Sequence, residues 1–296
     1  MFISAAPVVF VLLWSTGFVI ARYGTRDAGP LTFLFLRMVA ASVILWVIAT
    51  LSNAPRLTKH DVRWAAASGT GMHAVYLGGV FIASDLGLPS GLSALIAGLH
   101  PVVTSVLAVV LLGELLQCRQ WIGVCLGILG VGVVVIERLG STDAVVTTSA
   151  LIAMAVSVMG MSAGTLVQRA RGTAMPLLRG TAVQYAASAV VLGVGAFAAE
   201  GVEVEFTTQM VLSLIWSILV LSLAAILIML WLLQRHAAVK VSSLFFLTPA
   251  LSTIEGSILF GERLGMFAVI GLGIALVGVA LATRAKTPTV LPAAES

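Results

Sequence analysis

The sequence predicts an all-α membrane protein: ten transmembrane helices, arranged as two inverted five-helix repeats around a central cavity. Three observations predict it. Hydrophobic residues fill 60% of the 296 positions and charged residues 9%, against roughly 25% charge in a soluble domain, so one aqueous core cannot hide the apolar surface. Ten apolar runs each approach the length of about 20 residues that a helix needs to cross hydrocarbon. The chain also repeats itself. Leu99-His100-Pro101 leads to Gly113-Glu114-Leu115, Gly123 and Gly130, and Leu247-Thr248-Pro249 leads to Gly261-Glu262-Arg263, Gly271 and Gly278, each shared residue recurring 148 positions on. A repeat of that length in so apolar a chain points to duplicated membrane halves with a site between them.

The first span, 4–22, opens with neither a basic n-region nor a small-residue cleavage site, so it reads as a retained helix rather than a signal peptide. The second, 30–51, is closed by Asn53-Ala54-Pro55. Spans three and four, 63–84 and 88–112, are parted only by the tight turn Asp85 to Gly91. The fifth, 119–137, carries a stripe of Gly123, Gly127 and Gly130 that the tenth, 265–283, repeats as Gly271, Ala275 and Gly278. Small residues at that spacing predict close helix packing, within the chain or between subunits, and the oligomeric state stays open. Between them lie spans six to nine, at 148–168, 176–199, 208–233 and 239–260. The halves are residues 1–140 and 141–284, with 285–296 a disordered tail.

Lys and Arg set the orientation. With the N-terminus cytoplasmic, the inside loops hold eleven basic residues and the outside loops four, which favours both termini inside. Five spans per half turn the second half over, so two inverted units can close over a midplane cavity from either side. The net charge of +4 comes without a basic tract carrying interleaved aromatics, so nucleic acid is not an expected partner. Cys118 and Cys125 read as packing thiols. The sequence has no His-Glu-x-x-His pair and no P-loop, so catalysis is not expected and neither is a cofactor or a metal.

Several segments resemble the EamA family of the drug/metabolite transporter superfamily. They are Leu12-Leu13-Trp14-Ser15-Thr16-Gly17-Phe18, Phe35-Leu36-Arg37, Leu111-Leu112-Gly113-Glu114-Leu115 and Ser243-Leu244-Phe245-Phe246-Leu247-Thr248-Pro249, the last followed by Gly261-Glu262-Arg263. The ordered set is most similar to the YddG-type amino-acid exporters. The resemblance implies ten helices in a bacterial inner membrane and outward movement of small metabolites, with membrane lipids the other partner. It also implies a cavity lined by spans one to four and six to nine.

Polar groups inside a bilayer are costly, so each needs an account. Arg37 is either an anchor for a substrate carboxylate or an arginine snorkelling near an interface; Gln184 lies one position off its repeat counterpart. His73 and Tyr76 share a helical face with Gly69 and Val80 and suit an amphipathic ligand, or else bond between helices. Trp14, with Thr16 beside it, can stack on a substrate or simply pack, whereas Trp46, Trp64 and Trp121 sit near span ends as belt residues. His100-Pro101 and Thr248-Pro249 mark equivalent kinks, with Pro101 and Pro249 as hinges; His100 and Ser252 are substrate-facing candidates there. Glu255 is a candidate for proton coupling or a neutral, hydrogen-bonded acid. Glu114 and Glu262 read as structural groups that satisfy exposed helix amides. The expected activity is secondary export of amino acids with hydrophobic or aromatic side chains, or of related amphipathic metabolites, by alternating access. The alternatives are a lipid or glycolipid flippase and an exporter of lipophilic cationic drugs.

Overall fold

A computed structural model describes residues 2–139, 146–171, 175–226, 228, 247–262 and 265–283. The expected junction of the halves at 140/141, the end of the eighth expected span with the connection after it and the start of the ninth (with Trp231, Arg235, Lys240 and Ser243), Arg263 and the tail 285–296 lie outside the described residues.

The described structure is helical throughout, apart from an isolated antiparallel bridge between Ala28 and Val204. Its order is α1 (Phe2–Gly24), α2 (Pro30–Leu51), α3 (Lys59–Gly69), π1 (Thr70–Val75), α4 (Tyr76–Asp85), α5 (Ser90–Ala97), α6 (His100–Leu112), α7 (Cys118–Leu139), α8 (Thr148–Arg171), α9 (Leu177–Ala199), α10 (Thr208–Trp216), π2 (Ser217–Ala224), α11 (Thr248–Phe260) and α12 (Met266–Thr283). Among the described residues, 7 helical stretches are long and apolar enough to cross a membrane, with the shorter apolar stretch Thr208–Ala224 beside them. Among the described residues three expected spans differ from simple rods, the eighth because π2 follows α10 within it. The third runs from Lys59 to Asp85 with the wide turn π1 inside it. The fourth is divided at Gly98-Leu99 into α5 and α6, because Pro101 sits in the first turn of a new helix, where its missing amide costs nothing.

Local chemistry sets the ends. Thr58 and Asp61 form a capping box at the start of α3. Pro30 opens α2 and Pro249 opens α11. α6 and α11 both stop on a glycine in the left-handed region, Gly113 (φ 68°) and Gly261 (φ 66°), as the repeated Gly-Glu turns require.

α7 and α12 pack against each other through their glycine stripes. A Cβ on Gly123 would lie 2.4 Å from the Ala282 nitrogen, one on Gly130 2.4 Å from that of Ala275, and one on Gly278 2.3 Å from that of Gly127. The close-packing expectation for these stripes therefore holds within the chain. The rod α3–π1–α4 meets α8 in the same way, through Gly71, Gly79, Gly160 and Gly164. α2 lies along α9, where Ser42 Oγ donates to the Ala182 carbonyl at 2.9 Å.

The two ends of the bundle are tied differently. At one, Glu262 accepts from the Ser90 amide and hydroxyl, both at 2.9 Å, and from Arg22 Nη1 at 2.7 Å. Glu200 there accepts from the Leu31 and Thr32 amides at 2.9 and 2.8 Å, and Thr207 Oγ1 donates to Asp27 at 2.6 Å. Glu262 thus satisfies the first amides of α5, a helix of the opposite half; the sequence placed this role on the helix following each Gly-Glu turn. At the other end Glu114 pairs with Arg169, and Arg179 Nε donates to the Ala54 carbonyl at 3.0 Å.

Candidate functional site

The site begins with the two π segments. A π turn widens the helix, re-aims its side chains and exposes backbone, and such turns cluster at functional positions. π1 and π2 occupy matching places in the repeat, with Thr70 and Ser217 at their starts. Both contribute to the lining of a cavity of about 140 Å³, which includes Trp14, Arg37, His73, Tyr76, Tyr185 and Leu221. An apolar cavity of about this size accommodates a six-membered ring.

Arg37 is the charged member of that described lining, held at 6% exposure about a third of the way along α2. Its Nε donates to Ser222 Oγ in π2 at 2.9 Å. Among the described residues no carboxylate pairs with its guanidinium. Tyr185 donates its hydroxyl to the Ser222 carbonyl at 3.3 Å, and its ring meets His73 edge-on with centroids 4.7 Å apart. One cluster therefore joins α2, π1, α4, α9 and π2: a guanidinium, two phenols and an imidazole, surrounded by Phe18, Leu77, Val80 and Phe81. It presents donors for an anionic group and an apolar wall for a side chain.

A second, smaller space of about 40 Å³ shares Trp14, Phe18 and Tyr76 with the first and reaches His100, Pro101 and Pro249. Here the break between α5 and α6 meets the start of α11: a Cβ on Gly98 would sit 3.3 Å from Pro249 Cγ. His100 Nδ1 faces the Ala97 carbonyl at 3.2 Å, and the His100 carbonyl accepts from Ser162 Oγ at 3.0 Å. The Ala97 carbonyl, which an amide at position 101 would have met, thus faces the His100 ring, while α8 reaches the break through Ser162.

Trp14, Arg37, His73 and Tyr76 converge on the larger cavity, and His100, Pro101 and Pro249 line the smaller one beside it. The remaining candidates lie elsewhere. Gln184 sits beside His73 in a seam of α3, α8 and α9, where its amide donates to Ser68 Oγ at 3.1 Å and Gln168 Oε1 at 2.9 Å. Thr16 Oγ1 donates to the Leu13 carbonyl at 2.6 Å and accepts from Trp216 Nε1 at 3.1 Å. Ser252, fully buried, donates to the Ser15 carbonyl at 3.1 Å between α11 and α1. In the same seam Glu255 Oε1 accepts from Ser15 Oγ at 2.5 Å, and its buried Oε2 has no partner among the described residues. Gly69, expected on the His73–Tyr76 face, packs instead on the Gln184 backbone, where a Cβ would come within 2.5 Å. The π turn between Gly69 and Tyr76 rotates the faces apart. Tyr185 and Ser222 were not picked out from sequence. Tyr185 stands at the repeat offset of 148 from Arg37, a signal that Gln184 beside it obscured.

Comparison with known proteins gives a consistent result. The EamA-like transporter family matches twice, over residues 3–136 and 148–284. The uncharacterized transporter YvbV of Bacillus subtilis (strain 168) is 25% identical over 284 residues, 93% of this chain and 90% of that protein. The uncharacterized inner membrane transporter YedA of Escherichia coli (strain K12) is 22% identical over 275 residues, 93% of this chain and 88% of its own. A probable terminal-alkyne amino-acid exporter of Streptantibioticus cattleyicolor is 29% identical over 155 residues, 52% of this chain and 50% of that protein. A crystal structure at 19% identity superposes with a TM-score of 0.65 over 94% of this chain and 95% of its own, a likeness of fold. A multi-pass helical chain, a cavity among its helices and a family match along nearly the whole length lead to one assignment: the protein belongs to the EamA-like transporter family and is a membrane transporter rather than an enzyme.

Proposed function

We propose that this transporter is a bacterial inner-membrane exporter of amino acids with apolar or aromatic side chains and of related amphipathic metabolites, working by alternating access. The observation that carries the reading is Arg37, a buried guanidinium without an acidic partner among the described residues, set in a cavity that is otherwise apolar and aromatic. A cation held away from water favours an anionic ligand group. The aromatic and aliphatic wall takes an apolar side chain. The same cation repels lipophilic cationic drugs, which weighs against that alternative. The partial likeness to a protein named as an amino-acid exporter supports the choice of substrate class.

In this reading ten spans form two inverted halves, 1–140 and 141–284, with both termini cytoplasmic, and Pro101 and Pro249 are the hinges where the break between α5 and α6 meets the start of α11. Flux runs down the substrate gradient or by exchange. Purified protein in liposomes loaded with unlabelled amino acids tests it. Counterflow of labelled leucine or phenylalanine is expected, with glycine and lysine much weaker, and Glu255→Gln is expected to leave substrate-gradient flux in place. Uptake of no amino acid across a full panel overturns the assignment. Flux abolished by Glu255→Gln at normal expression makes that carboxyl a coupling group.

A further inference from the structure

The two π segments end in the same way. The amide of Tyr76 donates five residues back, to the Gly71 carbonyl, and the amide of Ala225 five back, to that of Val220. Beyond each point the helix resumes its α form, in which amides reach back four. A change from five to four passes over one carbonyl. With Tyr76 on Gly71 and Leu77 in register with His73, the oxygen left out is that of Met72. With Ala225 on Val220 and Ile226 in register with Ser222, it is that of Leu221. Arg37 and Tyr185 direct their donors to the Ser222 hydroxyl and carbonyl instead.

A helix carbonyl without its donor is costly inside a membrane and persists only beside protein donors, water or a ligand. Met72 and Leu221 both line the central cavity, one from each π segment. Among the described residues, no acidic side chain is part of that lining. The ammonium of a zwitterion bound there would therefore have to be met by dipoles rather than by a carboxylate.

We propose that the carbonyl oxygens of Met72 and Leu221, freed by the paired π turns, are the acceptors for the substrate ammonium, so that the cavity reads both charges of an α-amino acid. Arg37 takes the carboxylate and the π-turn carbonyls take the amine. The inference rests on the amino-acid reading above and adds to it the requirement for the amino group.

The test uses the unaltered protein in liposomes at pH 7.5, exchanging labelled phenylalanine. The competitors are phenylalanine, 3-phenylpropanoate, which lacks the amine, and 2-phenylethylamine, which lacks the carboxylate. Loss of charge-assisted hydrogen bonds weakens binding by about tenfold or more, so 3-phenylpropanoate is expected to compete at least about tenfold less well than phenylalanine. Equal competition by the two overturns the inference while leaving amino-acid export intact. No exchange of phenylalanine or any other amino acid overturns both. A second measurement probes the carbonyl itself. An ester in place of the 72–73 peptide, introduced with the α-hydroxy acid counterpart of His73, weakens the Met72 oxygen as an acceptor. It is expected to lower apparent affinity for phenylalanine and leave that for 3-phenylpropanoate unchanged; equal losses for both ligands count against the proposal.

Discussion

Arg37 carries more consequence than any other side chain of the cavity. A lysine at this place keeps the charge but not the planar fork that holds a carboxylate at two points. Arg37→Gln is expected to reduce amino-acid counterflow by about 10- to 100-fold, the range for lost charge-assisted bonds, and Arg37→Lys to recover part of it. Full activity in Arg37→Gln, at matched protein per liposome, would remove the anchor role. Arg37, His73, Tyr76 and Trp14 were legible in the sequence because a polar or bulky group inside an apolar run demands a reason. Tyr185 was not, because a tyrosine there costs little and says nothing of its neighbours until α9 is laid against π1. Outside the membrane, the Thr58 amide and hydroxyl both donate to Asp61 and hold its carboxyl below the usual carboxylate range. A depressed folded-state pKa stabilises above the unfolded value of about 3.9 and is lost as pH falls through the folded one. Thr58→Ala, which removes the hydroxyl donor, is expected to lower the melting temperature at pH 7, and by less as the pH drops through that window. A deficit that grows toward acid would contradict the box.

At the scale of the element, apolar length and glycine spacing were the most readable features, because lipid and close packing each impose one simple rule. The stripes on spans five and ten predicted a tight seam, and α7 against α12 supplies it. Two helix irregularities were legible to different degrees. Proline announces a break, and α6 and α11 both begin around one. A π turn has no compositional signature; it follows from how a helix fits its neighbours, as where Gly71 lies against the Gly160 carbonyl. The seam allows a controlled comparison within one helix. A Cβ on Gly278 would meet the Gly127 nitrogen at 2.3 Å, whereas one on Gly273 would meet nothing within 4 Å. Gly278→Ala is expected to cost about 1–3 kcal/mol, as overpacking does. Gly273→Ala is expected to be neutral or to gain up to about 1 kcal/mol from helix propensity. Thermal unfolding in one detergent decides it, and equal effects at the two positions would mean that the seam is not close-packed.

The whole molecule has two chemically distinct ends, and their difference predicts how it lies in the membrane. The Glu114 end gathers Arg63, Arg119, Arg169, Arg171 and Arg179 at helix termini, with Arg179 over the Trp46 ring and Arg171 over that of Trp64. Indole rings capped by cations are what an interface with anionic lipid selects. The Glu262 end is instead tied by Glu262, Glu200 and Asp27. An excess of arginine predicts that the first end faces the cytoplasm, and a native thiol tests it. Cys118 is exposed at the first residue of α7, at the arginine-rich end, while Cys125 lies on the same helix, about 10 Å farther along at 1.5 Å per residue. A membrane-impermeant maleimide is expected to label Cys118 in inside-out vesicles and not in intact spheroplasts, with Cys125 shielded by lipid from both sides. A Cys118→Ser variant identifies which thiol reacts. Labelling of Cys118 in spheroplasts would turn the molecule over, and the Glu262 layer of carboxylates and capped helix starts would then face the cytoplasm.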